Sequence, residues 1–323
     1  MSFCFHTFNH PSNVNCCENK KTSKKKIPLL KTSSLDLDRS FKFPLSVVRS
    51  NGIGIIGGIS VDSSLSFANK LINNNNNSPP HFVLCSDPTL SKELLSMERN
   101  YFAARNEKSS SNSFDHSLIV EKIRRKRMVL EESGVCCCVV MPCHLLHSWY
   151  DEIGQGCRVR FLHVGECVAK ELKEAELRPV EAGSPIRIGV LATNENLVAR
   201  FYKEKLQNES SFGQPALSQL MTYSGFKLKN GFEVILPDKA TTEHIVIPAL
   251  EALNRKDFEG AHNLFRIALQ LLLVRAVNKI ILASDDLRQL LPPDDPLWRK
   301  CIDPMDALAR SSIEYAQSLG GSK

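Results

Sequence analysis

Cys143 stands at a point in the chain where a thiol can be made acidic. The apolar run Val135–Met141 precedes it, Pro142 ends that run, and helical sequence resumes at Leu145. A cysteine between a strand and a helix N-terminus meets unpaired N–H groups and a partial positive charge, which favour the thiolate. Such a sulfur acts as nucleophile or base, and His144 and His147 are close enough in sequence to polarise it. Cys136, Cys137 and Cys138, inside the apolar run, read instead as packing residues. A second polar strand end is Ser284, in Lys279-Ile-Ile-Leu-Ala-Ser284-Asp285-Asp286; taken alone it is a helix N-cap. Gly57-Gly58 after Gly52–Ile56, and Thr193-Asn194 after Ile186–Leu191, complete the set.

The elements that must position these residues alternate along the chain. Strands are expected at Gly52–Ile56, His81–Cys85, Val135–Met141 and Arg160–Val164, with helices at Ser60–Ile72, Ser117–Glu132, Leu145–Ile153 and Glu166–Leu177. After Pro179–Pro185 the rhythm restarts. Strands are expected at Ile186–Leu191, Phe232–Leu236 and Lys279–Ala283, and helices at Leu197–Gln207, Thr241–Leu253, Phe258–Val277, Asp285–Leu291 and Pro304–Leu319. Two similar halves of this kind predict an α/β protein of two doubly wound lobes with parallel sheets. Ligands of such sheets sit beyond the carboxyl ends of the strands, so the four polar ends are expected to share one cleft between the lobes. The first lobe is expected at 50–161 plus 303–323 and the second at 162–302. Residues 210–230, polar and carrying Gly213, Pro215 and Gly225, are long for a connection and read as an insertion in the second lobe.

Composition excludes some partners. The first 49 residues hold nine Lys/Arg against three acidic residues, an excess that equals the formal net charge of +6, so the remainder is neutral. A neutral body argues against nucleic acid, and no apolar run approaches the ~20 residues of a membrane helix. The leader is rich in Ser, Asn and Lys and poor in acid, the character of a disordered transit peptide. Lysine and serine outweigh arginine there, which favours the chloroplast stroma, and hence a plant, over a mitochondrion or the cytosol. Eight of the eleven cysteines lie beyond the leader. CxxC-like spacings fall only within one apolar run, so no metal site is expected.

Several segments resemble the aspartate/glutamate racemase superfamily. Ile55-Ile-Gly-Gly-Ile-Ser60-Val-Asp62-Ser-Ser64 is similar to its opening Gly-Gly-Met-Ser-x-Glu-Ser-Thr signature. Phe161-Leu-His163, the Gly-Thr loop in Ile188-Gly-Val-Leu-Ala-Thr193, Phe201-Tyr202 and Asp303 resemble later features, over about residues 52–320. The resemblance implies cofactor-independent proton transfer at the α-carbon of a small amino acid or related carboxylic acid, between two cysteines on opposite faces. Cys143 matches the first cysteine and Ser284 the second. Gly58, Ser60, Thr193 and Asn194 match substrate-holding positions, and a homodimer is compatible with it.

This sequence departs from the family pattern. The family's Cys-Asn-Thr is Cys143-His144-Leu145 here, which makes His144 a substrate-contact candidate, and its second Cys-Thr-Glu is Ser284-Asp285-Asp286. Lys92 falls where an arginine grips a distal carboxylate, and His244 where a lysine is common. A hydroxyl is a weak acid and needs an activating neighbour to serve as a base; His244 or His144 is the candidate. Three readings follow: a racemase using Cys143 and Ser284, a one-base decarboxylase or cis-trans isomerase, and a non-catalytic small-acid binding protein.

Overall fold

The computed structural model describes residues 51–74, 79–104, 116–192, 198–207, 232–292 and 294–320. The leader, the 210–230 segment, Thr193 and Asn194 lie outside them.

The first half builds β1 (Gly52–Ile56), α1 (Val61–Asn73), β2 (Phe82–Cys85), α2 (Pro88–Ala104), α3 (Ser117–Glu132) and β3 (Cys136–Val140). A 3-10 turn (Leu145–Trp149) then leads into α4 (Tyr150–Gly154), β4 (Arg160–Phe161) and α5 (Val164–Glu174). The second half gives β5 (Arg187–Leu191), α6 (Arg200–Gln207), β6 (Glu233–Ile235), α7 (Lys239–Thr241), α8 (Ile247–Asn254) and α9 (Phe258–Val274). It ends with β7 (Lys279–Leu282), α10 (Asp285–Gln289), β8 (Cys301–Ile302) and α11 (Pro304–Gly320). The fold is α/β, as expected, with two four-stranded parallel sheets of order β2-β1-β3-β4 and β6-β5-β7-β8. Each strand of one sheet thus has a counterpart in the other. Strands flanked by helices on both faces must be apolar throughout, and all five residues of β1 are buried.

Three elements differ from the sequence expectation. α2 has no counterpart among the sequence expectations. β8 is two residues long, too short for any periodicity to register. The helix expected over Leu145–Ile153 is a 3-10 turn followed by one short α-helical segment.

One core joins the halves. Phe67 and Leu71 of α1, Val168 and Leu172 of α5, Phe201 and Tyr202 of α6, and Leu308 and Ile313 of α11 pack with residues of both sheets. α11 follows β8 of the second sheet but returns to pack on α5, α1, β1 and β3. This shared core fixes the carboxyl ends of β1, β3 and β7 relative to one another.

Candidate active site

β3 delivers Cys143. Its backbone N–H donates to Met141 O at 2.8 Å, turning the chain inward after Pro142, and the residue is only 3% exposed. Gly58, just beyond β1, lies against it: a Cβ on Gly58 would overlap Cys143 Cβ and lie 2.5 Å from Sγ. Glycine is therefore the residue that lets the thiol sit at this strand end. Gly58 O accepts from Ser91 Oγ at 2.7 Å, which ties the turn to α2. Ser60 caps α1, its Oγ accepting from Ser63 N at 3.3 Å.

β7 delivers Ser284. It occupies the N-cap position of α10 in extended conformation, yet its side chain makes no capping hydrogen bond. The ordinary structural role of a serine here is thus not taken up. Cys143, Ser284, Ser60 and His144 line one cavity of about 400 Å³, with Lys70, Arg288 and Asp303 also in its wall. That volume suits a small ligand.

The two sides of the cavity differ in charge. Behind Cys143 are rings: the buried His144, His147, His163, Phe201 and Tyr202, with the half-buried Tyr150. Tyr202 Oη and His144 Nδ1 are 3.3 Å apart. Burial lowers His144 to about 4, with the Asp303 carboxylate pulling the other way, and lowers His147 to about 3. His147 Nε2–H donates to Met141 O at 2.9 Å, bracing the turn that carries Cys143. Burial also holds His163 far below its usual range; its Nδ1 accepts from Gly165 N at 2.9 Å as the cap of α5. All three imidazoles are neutral near pH 7.

On the other side, Asp303 caps α11 with Oδ1, accepting from Met305 N at 2.9 Å. Its Oδ2 takes Lys70 Nζ at 2.9 Å and Arg288 Nε at 2.8 Å, and Lys70 also reaches Asp306.

Of the residues singled out in the sequence, Cys143, Ser284, Ser60 and His144 meet at the cavity, and Gly58 supports it. Asp285 opens α10. Lys92 is exposed on α2, and His244 is exposed on the π-helical turn Thr242–Val246, whose inward positions are Thr242 and Val246; neither belongs to the cavity wall. Lys70 and Arg288 were missed. Helical spacing carried a signal for Lys70, since Ser63, Ser66, Phe67 and Lys70 recur at the 3–4-residue interval of one helix face and all line the cavity.

The model of the Asp/Glu/hydantoin racemase family matches residues 56–311. The chain belongs to that family. An aspartate racemase homologue from Pyrococcus horikoshii OT3 is similar in structure, with a TM-score of 0.58, 18% identity, and coverage of 83% of this chain and 99% of that one. The aspartate racemase of Picrophilus torridus gives 0.54, 20%, 82% and 94%. An uncharacterized protein of Pectobacterium carotovorum is 22% identical over 170 residues, 52% of this chain and 92% of that protein. Membership of the racemase family supports a racemase-type isomerase activity. The signature read in Gly57–Ser64 lies inside the matched segment.

Proposed function

We propose that the protein is a cofactor-independent amino-acid racemase that moves the α-proton with Cys143 and Ser284. The observation that carries this reading is their placement. They follow equivalent strands of the two sheets and line the same small cavity, and the Ser284 hydroxyl is not spent on capping its helix.

In this reading the substrate carboxylate lies against the N-terminus of α1, where Ser60 and Ser63 face the cavity and backbone N–H groups favour an anion. The Cys143 thiolate takes the α-proton from one face. The negative charge passes to the carboxylate, where those donors stabilise it. Ser284 gives its hydroxyl proton to the opposite face and recovers one from water, while Cys143 returns its proton to solvent. His144, neutral and beside Cys143, contributes hydrogen bonding without charge.

The serine also favours a one-base relative of the reaction, because a hydroxyl is a poorer base than a thiolate. Chiral chromatography of single-enantiomer amino acids incubated with the protein separates the two. Formation of the opposite enantiomer, lost in Cys143→Ala, supports the racemase. Decarboxylated or geometrically isomerised product without inversion supports the one-base enzyme.

The plastid address of the leader is part of the same proposal. A fluorescent fusion of residues 1–49 that stays in the cytosol contradicts it.

A further inference from the structure

We infer that the cavity selects an amino acid with a single carboxylate and disfavours aspartate- and glutamate-like dicarboxylates. This rests on the racemase reading above and names its substrate class.

A second carboxylate needs a cationic partner. Among the described residues lining the cavity, the cationic side chains are Lys70 and Arg288. Both are committed to the same atom, Asp303 Oδ2, at 2.9 and 2.8 Å. Lys70 is further engaged by Asp306. The Asp303 side chain is 8% exposed and that of Lys70 10%, so this pair is balanced in place, away from water; Arg288, 44% exposed, gives its Nε to the same carboxylate.

A dicarboxylate that recruited Lys70 would strip a partner from buried Asp303, and a buried charge that loses its partner is costly; one that approached Arg288 would compete with Asp303 for a guanidinium already paired through Nε. The rest of the described wall adds carboxylates at Asp62, Glu98 and Asp286. Lys92, the residue placed by resemblance where a distal carboxylate is gripped, is exposed on α2 outside the wall. An apolar, hydroxylated or cationic side chain makes no such demand. Among the described residues, the device disfavours the wrong substrate by leaving it no cation that is not already paired with Asp303.

The test is a substrate panel on the full chain: L-alanine, L-serine, L-lysine, L-aspartate and L-glutamate, each followed by chiral chromatography for kcat/KM. The expected result is a preference of about tenfold or more for the monocarboxylates. Asp303→Asn keeps a good helix cap for α11 and releases Arg288 while Lys70 stays paired with Asp306, and it should shift the preference toward the dicarboxylates by a similar factor. Aspartate or glutamate as the best wild-type substrate overturns the inference and leaves the racemase reading intact. Calorimetry with the same five acids on Cys143→Ala decides the matter without turnover. Tighter binding of the monocarboxylates supports the inference, tighter binding of the dicarboxylates overturns it alone, and binding of none overturns it together with the racemase reading.

Discussion

The ends of β3 and β7 occupy equivalent places in two sheets of the same strand order, but their surroundings are opposed. The thiol at the end of β3 is backed by neutral imidazoles and aromatic rings. The hydroxyl at the end of β7 stands on a helix that carries Arg288 into a network with Asp303 and Lys70. Duplicated backbone geometry thus supports unequal chemistry. On the proposed reading, one side takes a proton beside buried rings and the other supplies one beside a charged network.

The strongest way to break this comparison is to remove the thiol. Cys143→Ala should lower turnover by at least about 100-fold, the ordinary contribution of a positioned acid–base group, with an unchanged far-ultraviolet circular dichroism spectrum. Gly58→Ala should come next. The added methyl must displace Cys143, and a displacement of about 1 Å costs on the order of 100-fold in rate. Steady-state kinetics should show the loss in kcat, and the second substitution is informative because it removes no polar side chain.

The Ser284 side is sharpened by Ser284→Cys. A thiol there can cycle between acid and base near neutral pH, so inversion should accelerate several-fold, whereas Ser284→Ala should slow inversion. A Ser284→Cys protein that folds normally and inverts no faster removes Ser284 from the assignment.

The fold was largely legible, because buried parallel strands announce themselves as apolar runs separated by helical periodicity, and the strand-end rule then located Cys143, Ser284 and Gly58, while Ser60 came from the family resemblance. The charged wall was not. Lys70 and Asp303 are 233 residues apart in sequence, and an ion pair of that span leaves no periodic trace. His244 illustrates the converse: alignment with a family position does not establish which way a helical turn faces, and its side chain is exposed.

A smaller effect concerns acid stability. His144 and His147 protonate at about 4 and about 3 when folded, against about 6.5 unfolded. Between those values the unfolded chain binds more protons, so their contribution to stability is fully present above pH 6.5 and declines as pH falls through 4 and then 3. Thermal melts from pH 7 to 4 should show a falling Tm, and His144→Gln should flatten that slope.

α-Deuterium exchange in D2O, starting separately from each enantiomer of a good substrate and read by NMR, distinguishes the two faces of the site. Free enantiomers are equal in energy, so kcat/KM for inversion is the same in both directions and cannot report the asymmetry; exchange can. The enantiomer whose α-hydrogen faces Cys143 should lose that hydrogen faster than it inverts, the other should exchange no faster than it inverts, and Cys143→Ala should abolish both. Exchange that continues unchanged in Cys143→Ala contradicts the assignment and puts the chemistry elsewhere.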